Sequence, residues 1–296
     1  MHMTTIKPPH SQCPVCGKPF SNLRHEWLFV CSNCGLLASN IEPKIPEQAG
    51  PSLVDEARRA HGLADIRTRN NNIVLEHIQN ILDGRSKRLL DVGSGLGFFL
   101  KQAAACGFDV SGIEPDANVV EESRKTGLQV RHGYFPHCLQ SGETFDGIVF
   151  NDVLEHIPDL VNIFDACTTY LAPGGLLVLN CPNRRGVFYR IADLLDRVGV
   201  HGPFDRMWQR DIASPHVWYF KPDDLRRLGE QRGLTFAGTL NLLPITLRGV
   251  SHRIFHVRNQ SVLMGATALL GTLLLTPFLA VLPRDISVVM LQKKPG

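Results

Sequence analysis

Four cysteines near the N-terminus are spaced as a single metal ion would need them. Residues 13 to 16 read Cys-Pro-Val-Cys and residues 31 to 34 read Cys-Ser-Asn-Cys, each pair followed by a glycine, Gly17 or Gly35. Two such knuckles supply four thiolates for tetrahedral Zn²⁺, and the glycines let the chain turn tightly enough for backbone N–H groups to approach the sulfurs. The fourteen residues between the pairs can hold a hairpin with Trp27-Leu28-Phe29-Val30 as its returning strand. A redox dithiol would explain one Cys-x-x-Cys pair, but not two in tandem outside a βαβ pattern. Ligation by Cys13, Cys16, Cys31 and Cys34 leaves no open coordination position, so the expected metal is structural and holds together a segment too short to fold alone. Cys106, Cys138, Cys167 and Cys181 are scattered through segments that read as strands or helices, and they are expected to be buried thiols.

A second constellation is glycine-rich. Arg88-Leu89-Leu90-Asp91-Val92 runs directly into Gly93-Ser94-Gly95-Leu96-Gly97, followed by the helical stretch from Phe98 to Cys106. This is strand, glycine turn, helix, the place where a doubly wound sheet lets a ligand lie against bare backbone. A dinucleotide site of the form G-x-G-x-x-G needs glycine or alanine at position 98, where this chain has Phe98. The next strand, Asp109 to Ile113, ends at Glu114, with Pro115 at a helix start. A carboxylate there can accept hydrogen bonds from two ribose hydroxyls, the structural alternative being a helix cap. These residues support a nucleoside without saying which.

Three ordered segments narrow the choice. Leu89 to Gly97 resembles motif I of class I S-adenosylmethionine-dependent methyltransferases. Phe145 to Pro158 resembles the fourth strand of that family and the turn after it, and Leu171 to Asn180 resembles its Pro-Gly-Gly turn entering strand five. His216 to Phe220, with a helix from about Pro222 to Arg232, is similar to a further block in the branch that methylates ubiquinone precursors, sugars and small metabolites. Many chains of that branch begin with a Cys-x-x-Cys pair and a second pair ending Cys-Gly-Leu, as at Cys34-Gly35-Leu36 here. The resemblance therefore covers nearly the whole length. It implies that Gly93, Gly95 and Gly97 line the methionine and ribose part of the cofactor, that Glu114 takes the ribose, and that Asn151 floors the sulfonium. Asp91, Ser94, Pro115, Phe135, Asp152 and Val153 are implied as further cofactor contacts. One departure matters: the acidic or amide residue that often follows the third strand and holds the adenine amino group is replaced by Gly133-Tyr134-Phe135.

Methyl transfer is an in-line displacement at a carbon already activated by a sulfonium, so the protein mainly aligns nucleophile and methyl and excludes water. There is no G-x-S-x-G elbow, no H-E-x-x-H and no G-x-x-x-x-G-K-[ST] in the sequence. A hydroxyl acceptor would gain from a general base, and two histidines are placed for it. His156 follows the fourth strand at the carboxyl edge, and His216 opens Pro-His-Val-Trp-Tyr-Phe. The structural alternative for His156 is a residue that orders the turn before Pro158.

The elements that must position these groups follow from the rest of the chain. At 296 residues, 44% hydrophobic and 20% charged, the composition is globular. We expect an α/β fold: a doubly wound, seven-stranded Rossmann-like methyltransferase sheet with a small N-terminal zinc ribbon. The expected ribbon is residues 1–40, a Pro-, Glu- and Gln-rich linker is 41–65, and the methyltransferase domain is 66–296, entered by a helix from Ile66 to Leu82. Residues 184–218 form a substrate-side insertion in which Arg184, Arg185, Arg190, Arg206, Trp208 and Arg210 could face an anionic or sugar acceptor or simply solvent. Residues 247–284 form an apolar insertion between the sixth strand, within Leu234 to Leu243, and the seventh, Ile286 to Leu291. Its core, Val262 to Leu282, has no charge over twenty-one residues. A single span would strand the seventh strand across the bilayer, so this segment is expected to pack on the domain, to form a homodimer, or to make peripheral membrane contact.

The N-terminus has no signal-like apolar region, which predicts a cytoplasmic, and through 262–282 a membrane-associated, location. The expected function is S-adenosyl-L-methionine-dependent O-methylation of a small saccharide, quinone-like or lipid-linked acceptor. The alternative is an RNA methyltransferase that reads nucleic acid with its ribbon; a net charge of +3 without a lysine-rich stripe argues against it. A cofactor-binding protein without catalysis is the third class.

Overall fold

The computed structural model describes residues 11–42, 56–83, 87–243, 270–271 and 282–296. Three short strands come first: β1 (Phe20–Asn22), β2 (Leu28–Cys31) and β3 (Leu37–Ser39). Helix α1 (Glu56–Leu82) begins ahead of Ile66, so helix replaces the C-terminal part of the expected linker. Then β4 (Arg88–Val92), α2 (Phe98–Ala105), β5 (Asp109–Glu114), α3 (Ala117–Lys125), β6 (Val130–His132) and β7 (Phe145–Asn151) alternate. A 3-10 turn (Leu154–His156), α4 (Leu160–Tyr170) and β8 (Leu171–Pro182) follow, then α5 (Val187–Arg197), α6 (Gly202–Met207), β9 (Trp218–Tyr219), α7 (Pro222–Glu230), β10 (Leu234–Leu242) and β11 (Ile286–Lys293).

Seven strands form one sheet in the order β10-β11-β8-β7-β4-β5-β6. Five of them run parallel, and β11 lies antiparallel between β8 and β10. The central strands read as apolar runs because helices cover both faces. On one face α1 and α2 bury Val74, Leu75, Ile78, Leu82, Phe99 and Ala103 against Leu89, Val149, Val178 and Val288. On the other, α4 and α7 supply Ile163, Phe164, Leu225 and Leu228 over Ile148, Phe150, Leu177 and Leu179. Helix starts are capped locally: Asp116 accepts from Asn118 N and Val119 N, and Asp159 accepts from Asn162 N. The N-terminus of α5 is capped from a distance, Asp285 Oδ1 accepting from Phe188 N and Tyr189 N at 2.9 and 3.0 Å.

The N-terminal segment is not an appendage. Its three strands form a four-stranded sheet with β9, in the order β1-β2-β3-β9, through the antiparallel pairs Leu37↔Tyr219 and Ala38↔Trp218. Cys13, Val15, Phe29, Cys31 and Leu36 share one apolar core with Trp218, Phe220, Leu225 and the main sheet. Its outer side packs on the 184–218 insertion, where Leu28, Leu37, Tyr189, Phe204, Trp208 and Tyr219 are buried together. Among the scattered cysteines, Cys167 and Cys181 are buried as expected, whereas Cys106 and Cys138 are only half-buried. Apart from Leu270, Gly271 and Leu282, the Val262 to Leu282 segment lies outside the described residues. Among the described residues no helix is long and apolar enough to cross a membrane.

Candidate active site

The parallel register gathers the chemistry at one edge. Val92 is level with Ile113 and Phe150, Glu114 with His132, and Asn151 with Asn180. The turns that leave the carboxyl ends of β4, β5, β6 and β7 are therefore neighbours, as ligand sites in open α/β sheets require.

Gly93, Gly95 and Gly97 all adopt positive φ, at 72°, 53° and 75°. Their roles differ. A Cβ on Gly93 would sit 2.6 Å from Val153 Cγ2, and one on Gly97 would collide with Leu128, so these two glycines permit internal packing. Nothing lies within 4 Å of a Cβ placed on Gly95, which leaves that stretch of backbone open to a ligand. Glu114 holds the turn in shape: its carboxylate accepts from Gly95 N at 2.9 Å and from Asp116 N at 3.0 Å. Ser94 Oγ is buried without a hydrogen-bond partner, and so is Asp91 Oδ1. Burial, with the Glu114 charge behind it, pushes the Asp91 carboxyl up to about 8.

Pro115 lies between Glu114 and the Asp116 cap, and its carbonyl is 3.0 Å from His132 Nε2. After β6, Phe135 is buried edge-on against Phe150 and Tyr170, with ring centroids 5.7 and 6.3 Å away, so it faces the core. Its neighbour Tyr134 is 70% exposed, close behind Glu114's strand partner His132. After β7, Asn151 Oδ1 accepts from Asn180 Nδ2, and Asp152 takes a positive φ of 57° while its N–H bonds Asn180 O at 2.9 Å.

The two predicted histidines meet. Their ring centroids are 4.8 Å apart, edge to face, although they lie sixty positions apart in the chain. His156 Nδ1 lies 3.0 Å from Pro215 O. A carbonyl can only accept, so this contact, with Ser214 Oγ also 3.1 Å from Nδ1, favours the proton on Nδ1 and a lone pair on Nε2. Burial holds His156 below the ordinary histidine range. Burial and the His156 charge lower His216 to about 3. Neither His216 ring nitrogen makes a well-formed hydrogen bond, the Met207 carbonyl being the one backbone group that favours its charged form.

Sequence reasoning passed over Glu155. It is fully buried beside both histidines, and burial together with the Asp152 charge pushes its carboxyl well above the usual range. One ligand atom from each of Glu155, His156 and His216 falls within 4.8 Å of the others, a one-carboxylate, two-imidazole set able to take a divalent cation. The pattern was present as Glu155-His156, but burial of the acid depends on β9 arriving from far along the chain.

The four thiols Cys13, Cys16, Cys31 and Cys34 also lie within 4.8 Å of one another. The Cys13–Cys34 and Cys16–Cys31 sulfur separations are 3.6 and 3.3 Å. Tetrahedral zinc with Zn–S bonds of about 2.3 Å places its sulfurs about 3.8 Å apart, so the donor set fits with small adjustment. Burial pushes Cys34 up to about 11 and Cys13 higher still; a bound cation would reverse this by stabilising thiolates. Gly17 and Gly35 adopt φ of 69° and 74°, and their N–H groups bond Cys13 O and Cys31 O, the tight knuckle turns expected.

The 184–218 insertion is tied into its surroundings. Trp208 is 0% exposed, Arg184 donates to Gly35 O, Arg185 pairs with Asp223 at 2.7 Å and Arg210 with Asp205 at 3.4 Å. Its aromatic side is turned inward against the N-terminal strands, where Tyr189, Phe204 and Trp208 bury Leu28 and Leu37.

Residues 58–237 match the family described as a methyltransferase domain, more than half of the chain. A ubiquinone biosynthesis O-methyltransferase of Vibrio parahaemolyticus is 25% identical over 222 residues, 69% of this chain and 88% of that protein. The mitochondrial ubiquinone biosynthesis O-methyltransferase of Homo sapiens is 27% identical over 219 residues, 65% of this chain and 54% of that protein. That of Dinoroseobacter shibae is 29% identical over 155 residues, 50% of this chain and 59% of its own length. The chain thus spans little more than half of several curated relatives. Among solved structures, the cyclopropane synthase MmaA2 of Mycobacterium tuberculosis superposes with a TM-score of 0.51 at 17% identity, covering 85% of this chain and 92% of that one. The plantazolicin methyltransferase BpumL in complex with SAH gives 0.51 at 13%, covering 84% and 91%. At such identities these structures speak for the fold alone. The seven-stranded sheet, the open glycine turn beside Glu114 and the match over residues 58–237 together establish that the chain belongs to the methyltransferase-domain family and is an S-adenosylmethionine-dependent enzyme.

Proposed function

We propose that the protein transfers the methyl group of S-adenosyl-L-methionine to a hydroxyl of a small quinone-like aromatic acceptor. In this reading the methionine part lies on Gly93 to Gly97 near Asp91 and Ser94, and the ribose on Glu114. Pro115 and the exposed Tyr134 flank the adenine, with Phe135 supporting from the core. Asn151, Asp152 and Val153 form the floor below the sulfonium. The observation that carries the acceptor chemistry is the 3.0 Å contact of His156 Nδ1 with Pro215 O: a proton held there on Nδ1 leaves Nε2 as the basic atom, beside an uncharged His216. His156 takes the acceptor hydroxyl proton as the oxygen attacks the methyl carbon and the C–S bond breaks; S-adenosylhomocysteine leaves. The relatives named for ubiquinone biosynthesis support a quinone-like acceptor over the saccharide, lipid-linked or RNA alternatives. Cys13, Cys16, Cys31 and Cys34 hold a structural Zn²⁺ in the same reading.

The test is labelled methyl transfer to a panel of catechols and polyprenylated phenols. His156→Gln should lose about 10² to 10⁴ in kcat/KM, the usual weight of a general base, while S-adenosylhomocysteine binding is retained. Full activity of that variant would remove His156 from the chemistry. The orphaned His216 nitrogens and Glu155 favour one second reading, a divalent cation at Glu155, His156 and His216 that ionises the acceptor hydroxyl. A rate that requires added Mg²⁺ or Mn²⁺ while the ribbon zinc stays bound would select it.

A further inference from the structure

The segment that carries His216 has little structure of its own. β9 is two residues long, and its ladder partner is β3 of the ribbon. Residues 216 and 217 are strapped on two sides. On one, Val217 N donates to Glu155 O at 2.8 Å, and Trp218 Nε1 donates to Ile157 O at 2.9 Å, both in the stretch that carries His156. On the other, Ser39 N donates to Val217 O at 2.8 Å and Ser39 Oγ to His216 O at 2.5 Å, both from β3.

The ribbon is in turn held by its knuckles. Lys221 Nζ donates to Cys34 O at 2.6 Å, Gln231 Nε2 to Val15 O at 2.7 Å, and Arg184 to Gly35 O. All three acceptors are backbone carbonyls inside or beside a Cys-x-x-Cys turn, so they are in place only when that turn is folded. A four-thiolate site of this kind ties folding of its segment to metal occupancy. The glycine turn, by contrast, is fastened by β4, β5 and Glu114, without a ribbon residue.

We propose that the metal-loaded ribbon is the positioning element of the acceptor side: through β3 and Ser39 it sets β9 and the His216 ring against His156. Loss of the metal then disables methyl transfer and leaves the cofactor site working. The proposal rests on His156 and His216 facing the acceptor, but two of its readouts need no acceptor at all.

The experiment compares full-length protein as purified, after zinc removal, and after zinc return. Hydrogen exchange at the amides of Ser39 and Val217 should rise about 100-fold or more without metal. S-adenosylhomocysteine affinity by calorimetry should stay within about twofold, because those contacts are made elsewhere. With any acceptor that turns over, kcat should fall about 100-fold at unchanged KM for S-adenosylmethionine, the scale of a misplaced group, and zinc should restore it. Unchanged exchange at Ser39 and Val217, or cofactor affinity lost in step with their protection, would overturn the proposal. A zinc-loaded Ser39→Ala protein guards against simple unfolding: kcat should drop about tenfold, the worth of one hydrogen bond, and Ser39→Thr should recover it. Equal turnover of the three would overturn it as well. If no quinone-like acceptor is methylated, the exchange and calorimetry results still decide the matter.

Discussion

If Asp91 lies beside the cofactor, as proposed above, its charge state reports binding. Burial and the Glu114 charge raise its carboxyl to about 8, above the ordinary value near 3.9. A carboxyl raised on folding contributes stability that is fully present below its unfolded value and is lost as pH rises through the folded one. The unliganded protein should therefore lose stability between about pH 4 and about pH 8. A ligand carrying a sulfonium and an ammonium reverses the preference, because it favours the ionised form. S-adenosylmethionine should bind more tightly as pH rises toward about 8, releasing a proton that calorimetry in buffers of different ionisation enthalpy would count. In Asp91→Asn the affinity should be flat over that range. The glycine turn at Gly93 to Gly97 and the carboxylate at the end of β5 were legible in the sequence because a strand-turn-helix fixes its own geometry locally. Glu155 was not, since its state depends on residues brought from position 217.

At the scale of elements, the glycine turn separates fold from function. Gly95→Ala meets nothing within 4 Å, so its cost is the left-handed backbone alone, about 1–2 kcal/mol, but a methyl then occupies the open face to which the proposed function assigns the cofactor. Thermal melting should change modestly and S-adenosylhomocysteine binding should be lost. Gly97→Ala drives a methyl into Leu128 at a φ of 75°, and should lower the melting temperature well beyond that of Gly95→Ala. Equal effects of the two on melting would contradict this division. The strands of the main sheet were readable as apolar runs bounded by glycine and proline, and β4, β7 and β11 fall where expected. β9 was readable as a segment but not as a strand of the ribbon, because two residues carry no periodicity and their partner lies far back in the chain. The same reason hid the use of Trp208 and Arg184: an aromatic and a guanidinium look alike in sequence whether they face a ligand or hold a ribbon.

Across the whole molecule, one feature of the sheet has an unexpected practical value. β10 and β11 are paired to their ends, Leu242 opposite Ile286, and Pro283 and Asp285 are bound to Val187, Asn183 and the start of α5. The chain leaving at Leu243 and the chain arriving at Leu282 are thus both held by contacts among the described residues. Residues 244–281 can therefore be tested as an exchangeable cassette. A four-residue turn in place of roughly forty residues costs less closure entropy, by about 2 kcal/mol relative to a flexible loop of that length. The shortened protein should melt no lower than the parent and bind S-adenosylhomocysteine equally well. Any property that disappears with the cassette, whether vesicle association, dimer mass or turnover of a polyprenylated acceptor against its short-chain analogue, can then be assigned to it. A lower melting point would instead mark the cassette as part of the core.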